Sequence, residues 1–344
     1  MKAVLATPAL IDTELPEPTP GPRDLLVRIE AVAVNPVDSK VRGAITAGEG
    51  PKQLGWDAAG VVTAVGARTD RFKPGDEVMF AGAIDRPGCH AEAVLVDERL
   101  VGRRPASLSW AEAAAVPLTG LTAWEALFER LRLDPSGGHQ GTSLLILGGA
   151  GGVGSIAIQL AKGAGLTVIA SASRPESAAW VRELGATHVV DHHQPLVPQL
   201  AALGLAPVDL IANFSDTDAY WEVMAELIRP QGAIVAIVGN RRPLDLNLLK
   251  AKSVHLAWEF MFTRSQFQTA DMGRQGEILD RLADRFDRGE LRSTLCRTLG
   301  PINAANLERA YGELASGRMI GKLALSAWPP APGGADRRPP VEHR

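Results

Sequence analysis

Three glycines at fixed intervals are the first residues of this chain whose spacing implies chemistry. In "LLILGGAGGVGS", Gly149, Gly151 and Gly154 form a G-x-G-x-x-G run between an apolar stretch and a helix-forming one. In that setting the first glycine makes a tight turn, the second lets the backbone approach a pyrophosphate, and the third lets helix and strand pack closely. Free N–H groups and the positive end of the helix dipole then meet the negative charge. Gly149, Ala150, Gly151, Gly152, Val153 and Gly154 are therefore expected to cradle a dinucleotide. In a chain with 35 glycines, the alternative is a purely structural turn.

The acid expected about 20 residues further on, to hold the ribose 2′-hydroxyl of NAD, is missing. The second strand ends "VIASASRPES", and Ser173 and Arg174 stand there instead. A guanidinium and a hydroxyl suit a 2′-phosphate, which an aspartate would repel, so NADPH is the expected cofactor. Otherwise Arg174 is a solvated residue at a helix start.

From Ser143 onward, short apolar runs alternate with helical ones, the pattern of a doubly wound parallel sheet in an α/β fold. Strand ends at "ANFSDT" and "IVGN" bring Asn213, Phe214, Ser215, Gly239 and Asn240 to the carboxyl edge of that sheet, where such cofactors lie. "VHLAWEFMF" reads as the last strand of the sheet. Before Leu108 the chain reads as short strands between turns, a β-rich domain. Between the two parts, "SWAEAAAVPLTGLTAWEALFERL" should be a helix broken at Pro117. A long polar helix, a strand near "STLCRTLG", another helix and the strand "GKLALSA" close the chain, and this last segment should return to the first domain. The Pro-rich, charged residues 328–344 are expected to be disordered.

A length of 344 residues calls for two domains, and 46% apolar residues can fill both. The net charge of -3 is interspersed, which leaves no basic face for nucleic acid and no polybasic membrane anchor. With no clean membrane span or signal peptide, the expectation is cytoplasmic. Cys89 and Cys296 are far apart and read as reduced thiols.

These parts, with "VNPVDSKVR", "LGWDAAGVV", "PLTGLTAWEAL", "GGAGGVG" and "WEFMFTRSQFQTADM", resemble the medium-chain dehydrogenase/reductase superfamily to about Ala327. The likeness is to its quinone oxidoreductase branch, and most of all to bacterial zinc-type alcohol dehydrogenase-like proteins. It implies a GroES-like β-barrel domain (1–117 and 263–327) and a Rossmann domain (118–262). The three places where zinc members carry ligands fall on Asn35, Trp56 and Leu118. Only the asparagine offers even a weak donor, whereas catalytic zinc needs three. No metal is expected, and His90 in "GCHAEAV" reads as a satisfied polar residue more readily than as a substitute ligand.

The resemblance places Asn35 and Asp38 at the reaction cleft, with Thr122 reaching the nicotinamide half of the cofactor. Asn35 would donate to a substrate carbonyl, or merely open a helix before Pro36. Asp38 would serve catalysis, hold Lys40 or cap the helix. Trp56, Phe260 and Phe262 would wall a flat acceptor beside the cofactor, or are plain core. Lys322 would lie near the cofactor cleft, or at the surface. The implied activity is NADPH-dependent hydride transfer to a small quinone or a conjugated enal or ketone, in a homodimer. Alternatives are a zinc alcohol dehydrogenase with atypical ligands, and an NADPH-binding sensor or structural protein with little catalysis.

Overall fold

The computed structural model describes residues 1–329 apart from residues 8, 47 and 49. The expected tail therefore lies, from residue 330 on, outside the described residues. The architecture is the expected α/β one, a parallel sheet flanked by helices joined to a β-rich lobe.

The parallel sheet is built around Ser143–Leu147, whose five residues are all buried because helices cover both faces. Its order is His188–Val190, Thr167–Ser171, Ser143–Leu147, Val208–Asn213, Ile228–Ala236, His255–Trp258. Every neighbouring pair is parallel, and Leu145 lies between Ile169 and Ile211. Strand order reverses at Ser143–Leu147, so a crevice opens beyond its carboxyl end. The last strand is shorter than expected. It ends at Trp258, and Glu259 to Phe262 leave the sheet in a turn before the helix Thr263–Gln266.

In the β-rich lobe the long strand Asp24–Ala33 pairs with Ala58–Val65, with Ala93–Asp97 and with Lys322–Ser326. The closing strand comes from the far end of the chain, and its Ala324 lies opposite Ala33. This one long-range pairing carries Lys322 to the segment that follows Ala33.

The central helical stretch breaks at Pro117, into Trp110–Ala114 and Pro117–Trp124. A departure follows: Glu125–Arg130 continues with π-helical geometry, Leu131 N–H reaching Ala126 O at 3.0 Å. The first four residues of this turn are buried, including Glu125. Single wide turns of this kind are frequent at functional sites.

The amphipathic helix Arg274–Asp287 buries Ile278, Leu279, Leu282, Ala283 and Phe286. It lies across the strand Val101–Arg103, where Arg103 N–H donates to Asp280 (2.9 Å) and the Arg103 guanidinium pairs with Asp284 and Asp287. Gly102 permits the contact, since a Cβ there would lie 2.3 Å from Leu279 Cβ. Among the described residues, no helix is long and apolar enough to cross a membrane.

Replacing Gly102 by valine should push this helix off its strand. Overpacking of this kind costs about 1–3 kcal/mol or more, so thermal unfolding should move to lower temperature. An unchanged unfolding midpoint would show that the contact gives way freely.

Candidate active site

The crevice at the strand-order reversal continues into a trough between the two lobes. Its inner cavity, of about 470 Å³, is lined by Asn35, Leu118, Thr122, Gly151 to Gly154, Phe260, Phe262 and Lys322, among others. An outer cavity of about 560 Å³ is lined by Ser173, Arg174, Ser177, His192, His193, Ser215 and Arg318. Gly148, Gly151, Phe214, Gly317 and Met319 line both, so the two form one channel.

The glycine loop fits a dinucleotide on steric grounds. The tight turn falls on Gly148 (φ +81°), not on Gly149, which lines neither cavity and packs against Ala170; a Cβ on Gly154 would lie 2.3 Å from Gly148 O. Gly151, by contrast, faces open space except for Gly148 O at 3.4 Å. It caps the helix Gly152–Gly163 without a side chain, leaving the first N–H groups free toward the trough.

At the floor of the inner cavity stands a buried polar cluster. Lys322, 2% exposed, directs its ammonium at Val34 O (2.9 Å), Asn35 Oδ1 (2.6 Å) and Asp57 Oδ2 (2.8 Å). Asn35 Nδ2 donates to Asp57 Oδ2 at 2.8 Å, and Asp57 Oδ1 accepts from Leu118 N–H at 2.8 Å. The orientation of the Asn35 amide follows from its neighbours, because an ammonium only donates and a carboxylate only accepts. Burial raises the Asp57 pKa while Lys322 opposes the rise. A fully buried Asp38 closes the cluster by accepting Asn35 N–H at 2.8 Å. Burial is the main reason its pKa rises to about 7, against the pull of the Asn35 backbone and of Lys322.

These contacts show where each of these side chains stands. Asp38, expected to line the cleft, lines neither cavity; fully buried, it caps the helix Pro36–Gly43 and does not hold Lys40. Lys322 is no surface lysine. Asn35 opens the helix and also lines the cavity, with one amide hydrogen lacking a protein acceptor among the described residues. Thr122 lines the cavity while its hydroxyl donates to Leu118 O at 2.7 Å. Phe260 and Phe262 line it too, at ring separation 5.5 Å.

Trp56 does not line the trough. Its indole turns inward to donate to Ala83 O (3.0 Å) and meets Phe262 edge-on at 6.3 Å, so it backs the wall and does not form it. Gly239 and Asn240 also lie outside both cavities, Asn240 being tied to Arg242 O, and Ile237 and Val238 stand in the inner one. Asn213 is wholly buried and shapes the turn, accepting from Ser215 N–H and donating to Thr217 Oγ1, whereas Phe214 and Ser215 reach the trough.

Sequence reasoning missed Arg318, His192 and His193, which face the outer cavity with Ser173 and Arg174. Arg174 Nη2 donates to Arg318 O at 2.6 Å, which brings the two arginines together. Nothing local in the sequence marks Arg318, because its place depends on the return of the closing strand.

At the three places compared with zinc ligands the donor set does not fit the metal. Trp56 and Leu118 offer no side-chain ligand, and the Asn35 carbonyl oxygen is already bonded to a positive charge. His90 is fully buried but is not the satisfied polar residue expected, since neither ring nitrogen has a hydrogen-bond partner; burial pushes its pKa down to about 3, and its ring lies 6.3 Å from that of Tyr311. The Cys89 thiol, raised by burial, bonds to Asp57 O. Among the described residues no group of three His, Cys, Asp or Glu side chains could hold a metal ion.

Comparison with known proteins agrees with this geometry. Residues 21–119 match the alcohol dehydrogenase GroES-like domain, and residues 152–275 match the zinc-binding dehydrogenase domain. A zinc-type alcohol dehydrogenase-like protein of Staphylococcus aureus (strain MSSA476) is 40% identical, over 90% of this chain and 92% of its own. A 2-methylene-furan-3-one reductase of Solanum lycopersicum is 31% identical (89% and 72%), and a quinone oxidoreductase of Pseudomonas aeruginosa 32% (89% and 92%). A crystal structure from Rhizobium etli CFN 42, provisionally named a zinc-dependent alcohol dehydrogenase protein, superposes with TM-score 0.90 at 48% identity, over 96% and 98% of the two chains. The chain belongs to the medium-chain dehydrogenase/reductase superfamily. It is an oxidoreductase of that family, with its nicotinamide-cofactor fold.

Replacing Lys322 by methionine would leave Asp57 buried without its counter-charge. Breaking such a pair costs about 3–5 kcal/mol, to be read from denaturant unfolding. The double variant Lys322→Met/Asp57→Asn should recover part of that loss. Equal stability of the single and double variants would contradict a direct pairing.

Proposed function

We propose that this superfamily member is an NADPH-dependent oxidoreductase that transfers hydride to quinones or to conjugated enals and ketones, without zinc. The observation that carries the reading is the Lys322 ammonium on the cleft floor, bonded to Asn35 and Asp57 beside the places where zinc members carry ligands. A second positive ion there would meet that charge at close range.

The reduced nicotinamide supplies the hydride; the chain's residues bind, orient and exclude water. Gly151 to Gly154 would hold the pyrophosphate at the helix start, and Ser173, Arg174 and Arg318 the 2′-phosphate. Leu118, Phe260 and Phe262 would press a flat acceptor into the inner cavity, a positioning effect worth several kcal/mol. The free amide hydrogen of Asn35 would meet the acceptor oxygen as charge gathers on it. The same N–H could not replace a Lewis acid for a simple alcohol. By the family resemblance, the chain would work as a cytoplasmic homodimer joined along His255–Trp258, the edge strand of the parallel sheet.

Purified protein treated with chelator should oxidise NADPH with quinones and enals and should act poorly or not at all on simple alcohols. One zinc per chain by elemental analysis, with activity lost to chelation and restored by metal, would favour the zinc dehydrogenase reading instead.

Replacing Arg174 by alanine removes a charge-assisted contact of about 1.5–3 kcal/mol. NADPH affinity should fall roughly tenfold or more while NADH affinity hardly changes. Equal loss for both cofactors would show that Arg174 supports the fold.

A further inference from the structure

The outer cavity carries two imidazoles to which the proposed function so far gives no task. His192 and His193 follow the strand His188–Val190 and line the cavity with Ser173, Arg174, Ser177 and Arg318. His192 is partly buried and His193 exposed, and their ring centroids lie 4.7 Å apart. Among the described residues neither ring hydrogen-bonds or ion-pairs with the protein, and the buried Nδ1 of His192 has no partner.

The charges around the pair are one-sided. Among the described residues no aspartate or glutamate lines this cavity, whereas two arginines do. Arg174 stands before the helix Pro175–Leu184 and Arg318 before the closing strand, and Arg174 Nη2 bonds to Arg318 O at 2.6 Å. Tyr220, from the helix Thr217–Leu227, adds a phenol kept neutral by burial, which raises its pKa. Asp191 is the acid on the histidines' own segment, and its Oδ1 already accepts His193 N–H at 2.9 Å. In the cofactor-free protein a proton on His192 is therefore opposed. Burial first, then His193, and last Arg174 lower its pKa, against the pull of Asp191.

We propose that the His192 and His193 pair takes up one proton when the 2′-phosphate of NADPH enters the outer cavity, so that the preference for NADPH over NADH is set by pH. The inference rests on the NADPH reading above. A phosphate monoester is mostly dianionic above about pH 6. Beside it the charged form of an imidazole is favoured, so solvent supplies a proton to one ring nitrogen, and the N–H formed donates to a phosphate oxygen. The other ring stays neutral, because two imidazolium charges at this spacing oppose each other. NADH lacks the phosphate and gains nothing from the proton. The imidazole pKa is low in the free protein and higher in the complex. The added affinity is therefore full below the free-protein value and is lost as pH rises through the value in the complex.

Calorimetric titration of the native protein, in buffers of different ionisation heat near pH 7, tests the proposal. NADPH binding should take up protons, at most one per chain, and NADH binding none. The phosphate's own ionisation would release protons, the opposite sign. Between about pH 7 and pH 8.5, NADPH affinity should fall roughly threefold to tenfold while NADH affinity stays within about twofold. In the double variant His192→Gln/His193→Gln both the uptake and this pH dependence should vanish, with NADH affinity as in the native protein. NADPH preferred over NADH without proton uptake, or uptake that persists in the double variant, overturns the histidine role and leaves the NADPH reading standing. Native protein that binds NADH as tightly as NADPH at every pH overturns both.

Discussion

The Lys322 ammonium lies inside the protein within hydrogen-bond distance of Val34 O, Asn35 Oδ1 and Asp57 Oδ2, and much of the site is placed by those contacts. Asp57 reaches on to Leu118 N–H and so fixes the start of the helix Pro117–Trp124, while Asp38 caps Asn35 from the other side. One cation thus joins the closing strand, the helix Pro36–Gly43, the segment before Ala58–Val65 and the central helix. A buried ion pair of this kind gains little stability over an apolar core. What it provides here is position: a fixed positive charge and a fixed amide at the base of the trough.

The trough follows from that floor and from the glycine loop above it. Gly152 illustrates the dependence, since a Cβ on it would lie 2.9 Å from Thr119 Cγ2 and 3.0 Å from Lys322 Cδ. Loop, helix and lysine stem therefore pack as one unit. The outer cavity is polar and the inner one largely aromatic and aliphatic, which matches a charged cofactor end and a flat apolar acceptor. The π-helical turn at Glu125–Arg130 buries the Glu125 carboxyl, which Arg264 meets at 2.9 Å.

Much of this was legible in the sequence because it depends on local pattern. The alternation after Ser143 implied the parallel sheet, Pro117 the helix break, and the glycine spacing the loop. The absence of ligands at Asn35, Trp56 and Leu118 could be read directly once the family resemblance aligned them. What escaped depends on contacts across the chain. Lys322 is 287 residues from Asn35, so sequence alone left its burial open. Arg318 arrives with the same strand. The inward turn of Trp56 depends on a distant acceptor, Ala83 O, and the π geometry of Glu125–Arg130 leaves no mark on hydrophobic periodicity. The strand end at "IVGN" points to Gly239 and Asn240, but the backbone leaves the cavity one residue earlier, after Val238.

The central claim is that a cleft with a buried ammonium near the compared ligand places supports hydride addition to conjugated acceptors. Its most direct test is the fate of the label from stereospecifically deuterated NADPH in chelator-treated protein given an enal. The account predicts deuterium on the β-carbon of the former double bond. Deuterium on the carbonyl carbon, appearing only when zinc is supplied, would contradict it.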